Sequence, residues 1–130
     1  MPNLLFDTHA FVTLFERQSG WETIREYTRS VDDDECSGFV PTVVITEIMY
    51  LYAQQEGSDL AKQRVEQIIS SKMKTLPLDE NISLITGTMK KPGISLADAC
   101  IGATAHVHGL SVISGDRHFD QMGVSRIGYP

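Results

Sequence analysis

The chain has 130 residues, of which 42% are hydrophobic, and its 17 acidic and 11 basic residues give a formal charge of −6. That size suits one compact domain with a substantial core, so we predict a single domain over residues 1–130. The acidic balance argues against general phosphate neutralisation as the means of holding nucleic acid. It still allows an acidic site whose bound cations reverse the local field.

Membrane and targeting signals are not apparent in the sequence. No stretch approaches the roughly 18 apolar residues of a membrane span, and the first residues lack the basic-then-apolar layout of a signal peptide. We therefore expect a cytoplasmic protein without membrane contact. Cys36 and Cys100 lack C-x-x-C spacing, which predicts free thiols rather than a zinc site or a disulfide.

Strand-like and helix-like segments alternate along the chain. Asn3–Phe6 is an apolar run that ends at Asp7, Pro41 suits a first helical turn, and Gly109 is a typical helix stop. The predicted strands are 3–6, 38–40, 75–78, 110–113 and 124–127, and the predicted helices are 8–16, 21–29, 42–55, 59–71, 80–89, 95–108 and 117–121. This alternation predicts an α/β fold with a parallel sheet covered on both faces.

A run of four acids, 32–35, separates the second helix from the second strand. Its simplest interpretation is a solvated loop, with an additional cation or partner contact as the alternative.

Two other acids follow predicted strands. Asp7 comes directly after the first strand, and Asp116 follows the fourth strand after the turn formed by Ser114 and Gly115. The carboxyl ends of parallel strands form the ligand-binding edge of an α/β sheet, so we expect both carboxylates to lie there. Asp7 also has a structural alternative, because it can cap the helix that begins at Thr8.

Two further acids lie in early helical turns. Asp98 stands three residues after Ser95, in the form of a capping box, and an acid at that position also complements the helix dipole. Glu47 interrupts an apolar run, although Thr42 and Thr46 leave open a solvent-facing polar stripe. Each acid taken alone has a structural explanation. Their expected placement on one edge of the sheet favours a common site.

Carboxylates gathered without His or Cys partners suit Mg²⁺ or Mn²⁺ rather than zinc. Such ions lower the pKa of bound water and stabilise charge on a phosphate during in-line displacement. The reaction class that fits is phosphodiester hydrolysis, with Asp7, Glu47, Asp98 and Asp116 as the candidate catalytic and metal-binding residues. A receiver-like phosphoacceptor domain also places acids at strand ends. It needs an acidic pair after the first strand and a lysine after the fifth, which this sequence does not offer.

Three blocks of the sequence resemble the signature blocks of PIN domains, in order and at the usual separations: LLFDTHAFVTLFE, VPTVVITEIMYLY and ISLADACIGATAHVHGLSVISGDRHFD. The resemblance covers nearly the whole chain. In size and layout the chain is most similar to the VapC-type ribonuclease toxins of toxin–antitoxin pairs. It implies a parallel sheet in the order 3-2-1-4-5, Mg²⁺ or Mn²⁺ at the acidic edge, and endonucleolytic cleavage of RNA.

The resemblance also implies roles for individual residues. The four acids of the family are matched, in chain order, by Asp7, Glu47, Asp98 and Asp116. Thr8 and Ser114 match hydroxyl positions near the first and last acids, where a hydroxyl can orient a ligand. His9 departs from the commoner Ser, and we expect it to be structural or to support the site rather than to ligate metal. Arg117, beside Asp116, is the candidate contact with RNA.

The same resemblance implies two protein partners: a cognate antitoxin with a basic or apolar tail across the acidic groove, and a second copy of the chain. Four apolar residues of the middle block could serve such a surface, although we expect most of them in the core: Ile48, Met49, Leu51 and Tyr52. Two alternatives stay open. One is a PIN nuclease of rRNA or tRNA maturation, or one that acts on DNA, and the other is a catalytically inactive PIN scaffold.

Overall fold

The computed structural model describes residues 3–129, and within them it contains five strands and seven helices. The strands are β1 Asn3–Phe6, β2 Ser37–Pro41, β3 Lys74–Leu76, β4 Ser111–Ile113 and β5 Arg126–Ile127. The helices are α1 Thr8–Phe15, α2 Trp21–Asp32, α3 Thr42–Glu56, α4 Ser58–Ile69, α5 Glu80–Met89, α6 Leu96–His108 and α7 His118–Gln121. The single-domain prediction for 1–130 extends beyond the described residues at both ends and stays a prediction.

The five strands form one parallel sheet in the order β3-β2-β1-β4-β5, which confirms the predicted α/β class and strand order. The central strand β1 pairs with β2 on one side and with β4 on the other, and Leu5 lies opposite both Phe39 and Val112. Leu4, Leu5 and Phe6 are fully buried. Burial of consecutive residues is expected for a central strand with helices on both faces, and it explains why β1 is an uninterrupted apolar run.

Proline positions account for two differences from the predicted elements. Pro41 was expected in the first helical turn, but it ends β2 opposite Leu76 and caps α3 in an extended conformation, with φ −65° and ψ 144°. A proline ring fixes φ near a value that suits both conformations, so the sequence pattern alone could not distinguish them. β3 ends before Pro77 rather than at Leu78, because a proline has no N–H to donate to the ladder.

Two further boundaries differ for local reasons. The second helix was expected to end at residue 29 but continues to Asp32, so only the last three acids of the 32–35 run form the turn. Lys72 Nζ lies 3.0 Å from Asp34 Oδ2 in that turn. The last strand is shorter than predicted, because the N–H of Val124 donates to Phe119 O and closes the turn after α7.

Small residues let α6 approach its neighbours closely. Ala99, Ala103 and Ala105 are buried, and a Cβ on Gly102 would lie 2.7 Å from the sulfur of Met122. A larger side chain there would displace the thioether of Met122 from its place against α6. The close approach holds the N-terminal turn of α6 at the carboxyl edge of the sheet.

The apolar residues of α3 mostly face inwards. Ile48 and Tyr52 belong to the core, Met49 packs against it, and Leu51 lines a cavity at the carboxyl edge of the sheet. Cys36 and Cys100 are free, as predicted. Among residues 3–129, no helix is long and apolar enough to cross a membrane.

Candidate functional site

A cavity of about 480 Å³ opens at the carboxyl edge of the sheet, where β1 and β4 lie side by side. All four predicted acids line it. The lining residues are Asp7, Thr8, His9, Val12, Glu47, Leu51, Asp98, Ile101, Gly115 and Asp116. The topology therefore gathers side chains from residue 7 to residue 116 into one pocket, as expected from the sequence.

Asp7 is the most deeply buried acid of the cavity, with 3% of its surface exposed. Its Oδ1 accepts a hydrogen bond of 2.7 Å from the backbone N–H of Ala10, so the residue does cap α1. Burial raises the pKa of Asp7 to about 7, although the Ser114 hydroxyl and the Ala10 N–H oppose this increase. The cap and the cavity placement therefore coexist, and the carboxylate pays a desolvation cost that capping alone does not explain.

Asp98 lies in the first turn of α6. Its backbone N–H donates to Ser95 Oγ over 3.0 Å, as the capping pattern predicted, while its carboxylate faces the cavity. Burial raises the pKa of Asp98, and the nearby charge of Asp116 raises it further. Ser95 thus caps the helix, its hydroxyl opposes the increase in the pKa of Asp98, and the Asp98 carboxylate still lines the cavity.

Asp116 is held by the turn that follows β4. Its N–H donates to the hydroxyl of the fully buried Ser114 over 2.9 Å, which fixes the turn. The same hydroxyl lowers the pKa of Asp7 and so interacts with both acids. Ser114 therefore contacts both acids, and the supporting role that the resemblance implies for it stays a prediction.

Glu47 projects from the second turn of α3 into the cavity rather than into a solvent-facing stripe. Thr8 donates its hydroxyl hydrogen bond to Glu47 Oε1. This contact joins residue 8, next to Asp7, to the middle helix, and it restricts the orientation of the Glu47 carboxylate.

Arg117, the predicted RNA contact, begins the turn into α7 and is exposed, but it does not line the cavity. A different arginine supports this region. Arg126 on β5 donates to the backbone oxygen of Ser114 over 3.0 Å and forms an ion pair with Asp120 on α7. Arg126 thereby joins the end of β4 to α7 around the turn that carries Asp116.

Two residues near the acids were not selected from the sequence. His118 Nδ1 lies 3.0 Å from Asp116 Oδ1 and 3.9 Å from Asp98 Oδ2. Tyr129 stacks on the His9 ring, and its hydroxyl is hydrogen-bonded to His9 Nδ1. Burial raises the pKa of Tyr129. A histidine two residues after a candidate ligand was a usable signal for His118. Tyr129 had none, because only the fold brings residue 129 to residue 9.

The donor chemistry of the cavity fits a divalent cation. Four carboxylates line it, and none of its ten lining residues is Lys or Arg. Carboxylate oxygens are the preferred ligands of Mg²⁺ and Mn²⁺, and a cation would offset the cost of burial, and the smaller mutual repulsion, that raise the pKa values of Asp7 and Asp98. Asp98, Asp116 and His118 also present three ligand atoms within 4.8 Å of one another.

The model of the PIN domain family matches residues 4–124. The chain belongs to the PIN domain family. This membership confirms the resemblance of the three sequence blocks. The strand order of this PIN domain also differs from the 2-1-3-4-5 order of receiver domains, which excludes the receiver-like alternative. No curated protein matches the chain significantly.

Solved structures similar to this PIN domain include chains from toxin–antitoxin complexes. DNA-bound VapBC from Salmonella typhimurium aligns with TM-score 0.81 and 20% identity, over 100% of each chain. VapBC2 from Rickettsia felis, bound to a DNA fragment from its promoter, aligns with TM-score 0.81 and 10% identity, over 98% of this chain and 99% of that one. Mycobacterium tuberculosis VapC20, a Sarcin–Ricin loop cleaving toxin, aligns with TM-score 0.78 and 15% identity, over 98% of this chain and 99% of that one. At identities this low, the structural likeness establishes the shared fold alone.

Proposed function

We propose that this PIN domain is a Mg²⁺- or Mn²⁺-dependent endoribonuclease and the toxin of a type II toxin–antitoxin pair. The observation that carries the proposal is the cavity itself, in which four carboxylates meet without a lining lysine or arginine. The fold shared with VapC20, whose described activity is cleavage of the Sarcin–Ricin loop, supports RNA as the substrate.

In this proposal Asp7, Asp98 and Asp116 hold the ion. When bound, the ion supplies a lowered pKa for water and stabilisation of charge on the scissile phosphate. The supporting contacts fix two of these ligands: the Ala10 N–H holds Asp7 Oδ1, and the Ser114 hydroxyl holds the backbone of Asp116.

Glu47 either joins the ligands or positions the attacking water. Its Oε1 accepts the Thr8 hydroxyl, which leaves Oε2 as the oxygen free to take up a proton from water. The contact with Thr8 keeps Glu47 at the cavity wall. Arg117 remains a candidate phosphate contact at the exposed rim, where it would position RNA without specifying its sequence.

The proposed partners follow from the toxin assignment. We propose a cognate antitoxin, because the similar structures include several VapBC complexes, and a homodimer as the form of the toxin. An antitoxin segment with a basic side chain would complement the acidic cavity. Identification of a small antitoxin-like reading frame beside this gene would favour the toxin over a nuclease of rRNA or tRNA maturation.

Removal of metal is expected to abolish RNA cleavage. The partner-free protein should cut single-stranded and structured RNA with Mg²⁺ or Mn²⁺, lose this activity in EDTA, and regain it when excess metal is restored. Matched DNA strands in the same assay separate RNA specificity from general nuclease activity. Cleavage that persists in EDTA would contradict the metal mechanism, and no cleavage of any nucleic acid would favour an inactive PIN scaffold.

A further inference from the structure

His118 lies beside the four acids but has no role in the proposed carboxylate site. It is the first residue of α7 and is half-exposed, and its Nδ1 is 3.0 Å and 3.2 Å from the two oxygens of Asp116. We propose that His118 is a nitrogen ligand of the divalent ion and makes the site prefer Mn²⁺ over Mg²⁺. This inference rests on the proposed function, because it requires that Asp98 and Asp116 hold an ion.

The distances fit ligands of one shared ion. In an octahedral site with bonds of about 2.1 Å, neighbouring ligand atoms are about 3 Å apart and opposite ones about 4.2 Å apart. His118 Nδ1 lies 3.0 Å from Asp116 Oδ1 and 3.9 Å from Asp98 Oδ2, between these two limits. The imidazole therefore needs no large displacement to share an ion with both carboxylates.

The backbone around His118 is fixed by contacts that do not involve its ring. The His118 N–H donates to Asp116 Oδ1 over 2.9 Å, and the fully buried Phe119 anchors α7 in the core. Arg126 joins Asp120 of the same helix to the end of β4. The imidazole is thus presented to the acids by a short helix that is held at three points.

The chemistry of the donor atom gives the expected selectivity. Mg²⁺ strongly favours oxygen ligands, whereas imidazole nitrogen is a good ligand for first-row transition ions. Mn²⁺ is the weakest binder of that series, yet it accepts nitrogen more readily than Mg²⁺ does. A site of carboxylates plus His118 should therefore lose more affinity for Mn²⁺ than for Mg²⁺ when the imidazole is removed.

The same geometry also allows a second role for His118, in which it positions the Asp116 carboxylate. His118 could donate one hydrogen bond to Asp116 and orient that carboxylate without touching the ion. In that case removal of the ring would weaken Mg²⁺ and Mn²⁺ binding by the same factor, and no nitrogen would be coupled to bound Mn²⁺.

The test uses RNA-free protein with Mn²⁺ or Mg²⁺ alone, so it does not depend on cleavage. Pulsed electron paramagnetic resonance of bound Mn²⁺ should detect hyperfine coupling to a nitrogen nucleus in the wild type. The coupling should vanish in His118→Gln and persist in His106→Gln, a matched change at an exposed position near the far end of α6. Calorimetric titration should show Mn²⁺ affinity reduced about tenfold or more in His118→Gln, with a smaller loss for Mg²⁺.

Three outcomes would overturn this inference alone. Mn²⁺ bound by the wild type without nitrogen coupling, or coupling retained in His118→Gln, would show that His118 is not a ligand. Equal losses of Mn²⁺ and Mg²⁺ affinity would assign His118 to positioning. In each case binding that still depends on Asp7 would leave the proposed function standing. Failure of the wild type to bind either ion would instead overturn both.

Discussion

Replacement of Asp7 by Asn is expected to reduce metal-dependent RNA cleavage by about 10³-fold or more while the fold stays intact. Asn has nearly the same shape and keeps an oxygen that can accept from the Ala10 N–H, so the cap of α1 survives. The substitution removes the charge that the proposed ion requires. Activity is measured as the cleavage rate under single-turnover conditions in Mg²⁺ and in Mn²⁺, with circular dichroism as the check on folding.

Asp79 provides a matched control for this experiment. It caps α5 through Oδ1, which accepts the Ile82 N–H over 2.8 Å, in nearly the same backbone conformation as Asp7. It does not line the acidic cavity. Asp79→Asn should therefore cleave RNA at the wild-type rate. Full activity of Asp7→Asn would refute the assignment of Asp7 to the metal site.

The metal-free protein is expected to lose unfolding free energy as the pH rises from about 4 to about 7. Burial raises the pKa of Asp7 from 3.8 to about 7, so within this window the folded chain retains a proton that the unfolded chain has lost. Because the folded state binds more protons, its stability falls with rising pH, by up to about 4 kcal/mol for this group. Burial of Asp98 acts in the same direction.

Urea unfolding in EDTA at about pH 4.5 and about pH 8 measures this effect, and Asp7→Asn isolates the contribution of Asp7. The variant should exceed the wild type in stability by a clearly larger margin at the higher pH than at the lower pH. Addition of Mg²⁺ or Mn²⁺ at the higher pH should stabilise the wild type more than the variant, because the ions bind the folded, ionised site. Equal pH dependence in the two proteins would show that the Asp7 charge carries no desolvation penalty.

The regular elements were predictable because their local signals agreed with the tertiary structure. The bounds of β1 and α5 match the predictions, and α6 begins after its Ser95 cap and ends before Gly109, which adopts the left-handed conformation of a helix stop. The strand order came from the family resemblance, since alternating strands and helices fix a parallel sheet but not the sequence of its neighbours. The place of Pro41 depended on pairing with β3, which local pattern does not determine, and the shortened β5 depended on the hydrogen bond from Val124 to Phe119 that closes the turn after α7.

The candidate site was predictable in part for the same reason. Parallel strands bring their carboxyl ends to one edge, so Asp7 and Asp116 could be placed together, and the early helical turns that carry Glu47 and Asp98 were expected at the same edge, where the cavity lies. Whether Glu47 faced solvent depended on the rotation of α3 against the sheet. Which residues lie beside the acids also depended on tertiary contacts. Arg126 supports the Ser114 turn from β5, twelve residues away.

Anomalous X-ray scattering from crystals soaked in Mn²⁺ tests the central claim most directly, because it locates the ion without reference to activity. The site we propose predicts an anomalous peak in the cavity, within about 2.5 Å of carboxylate oxygens of Asp7, Asp98 and Asp116. The peak should disappear in crystals of Asp7→Asn. A peak elsewhere on the chain, or a metal-free cavity in protein that cleaves RNA with Mn²⁺, would contradict the account.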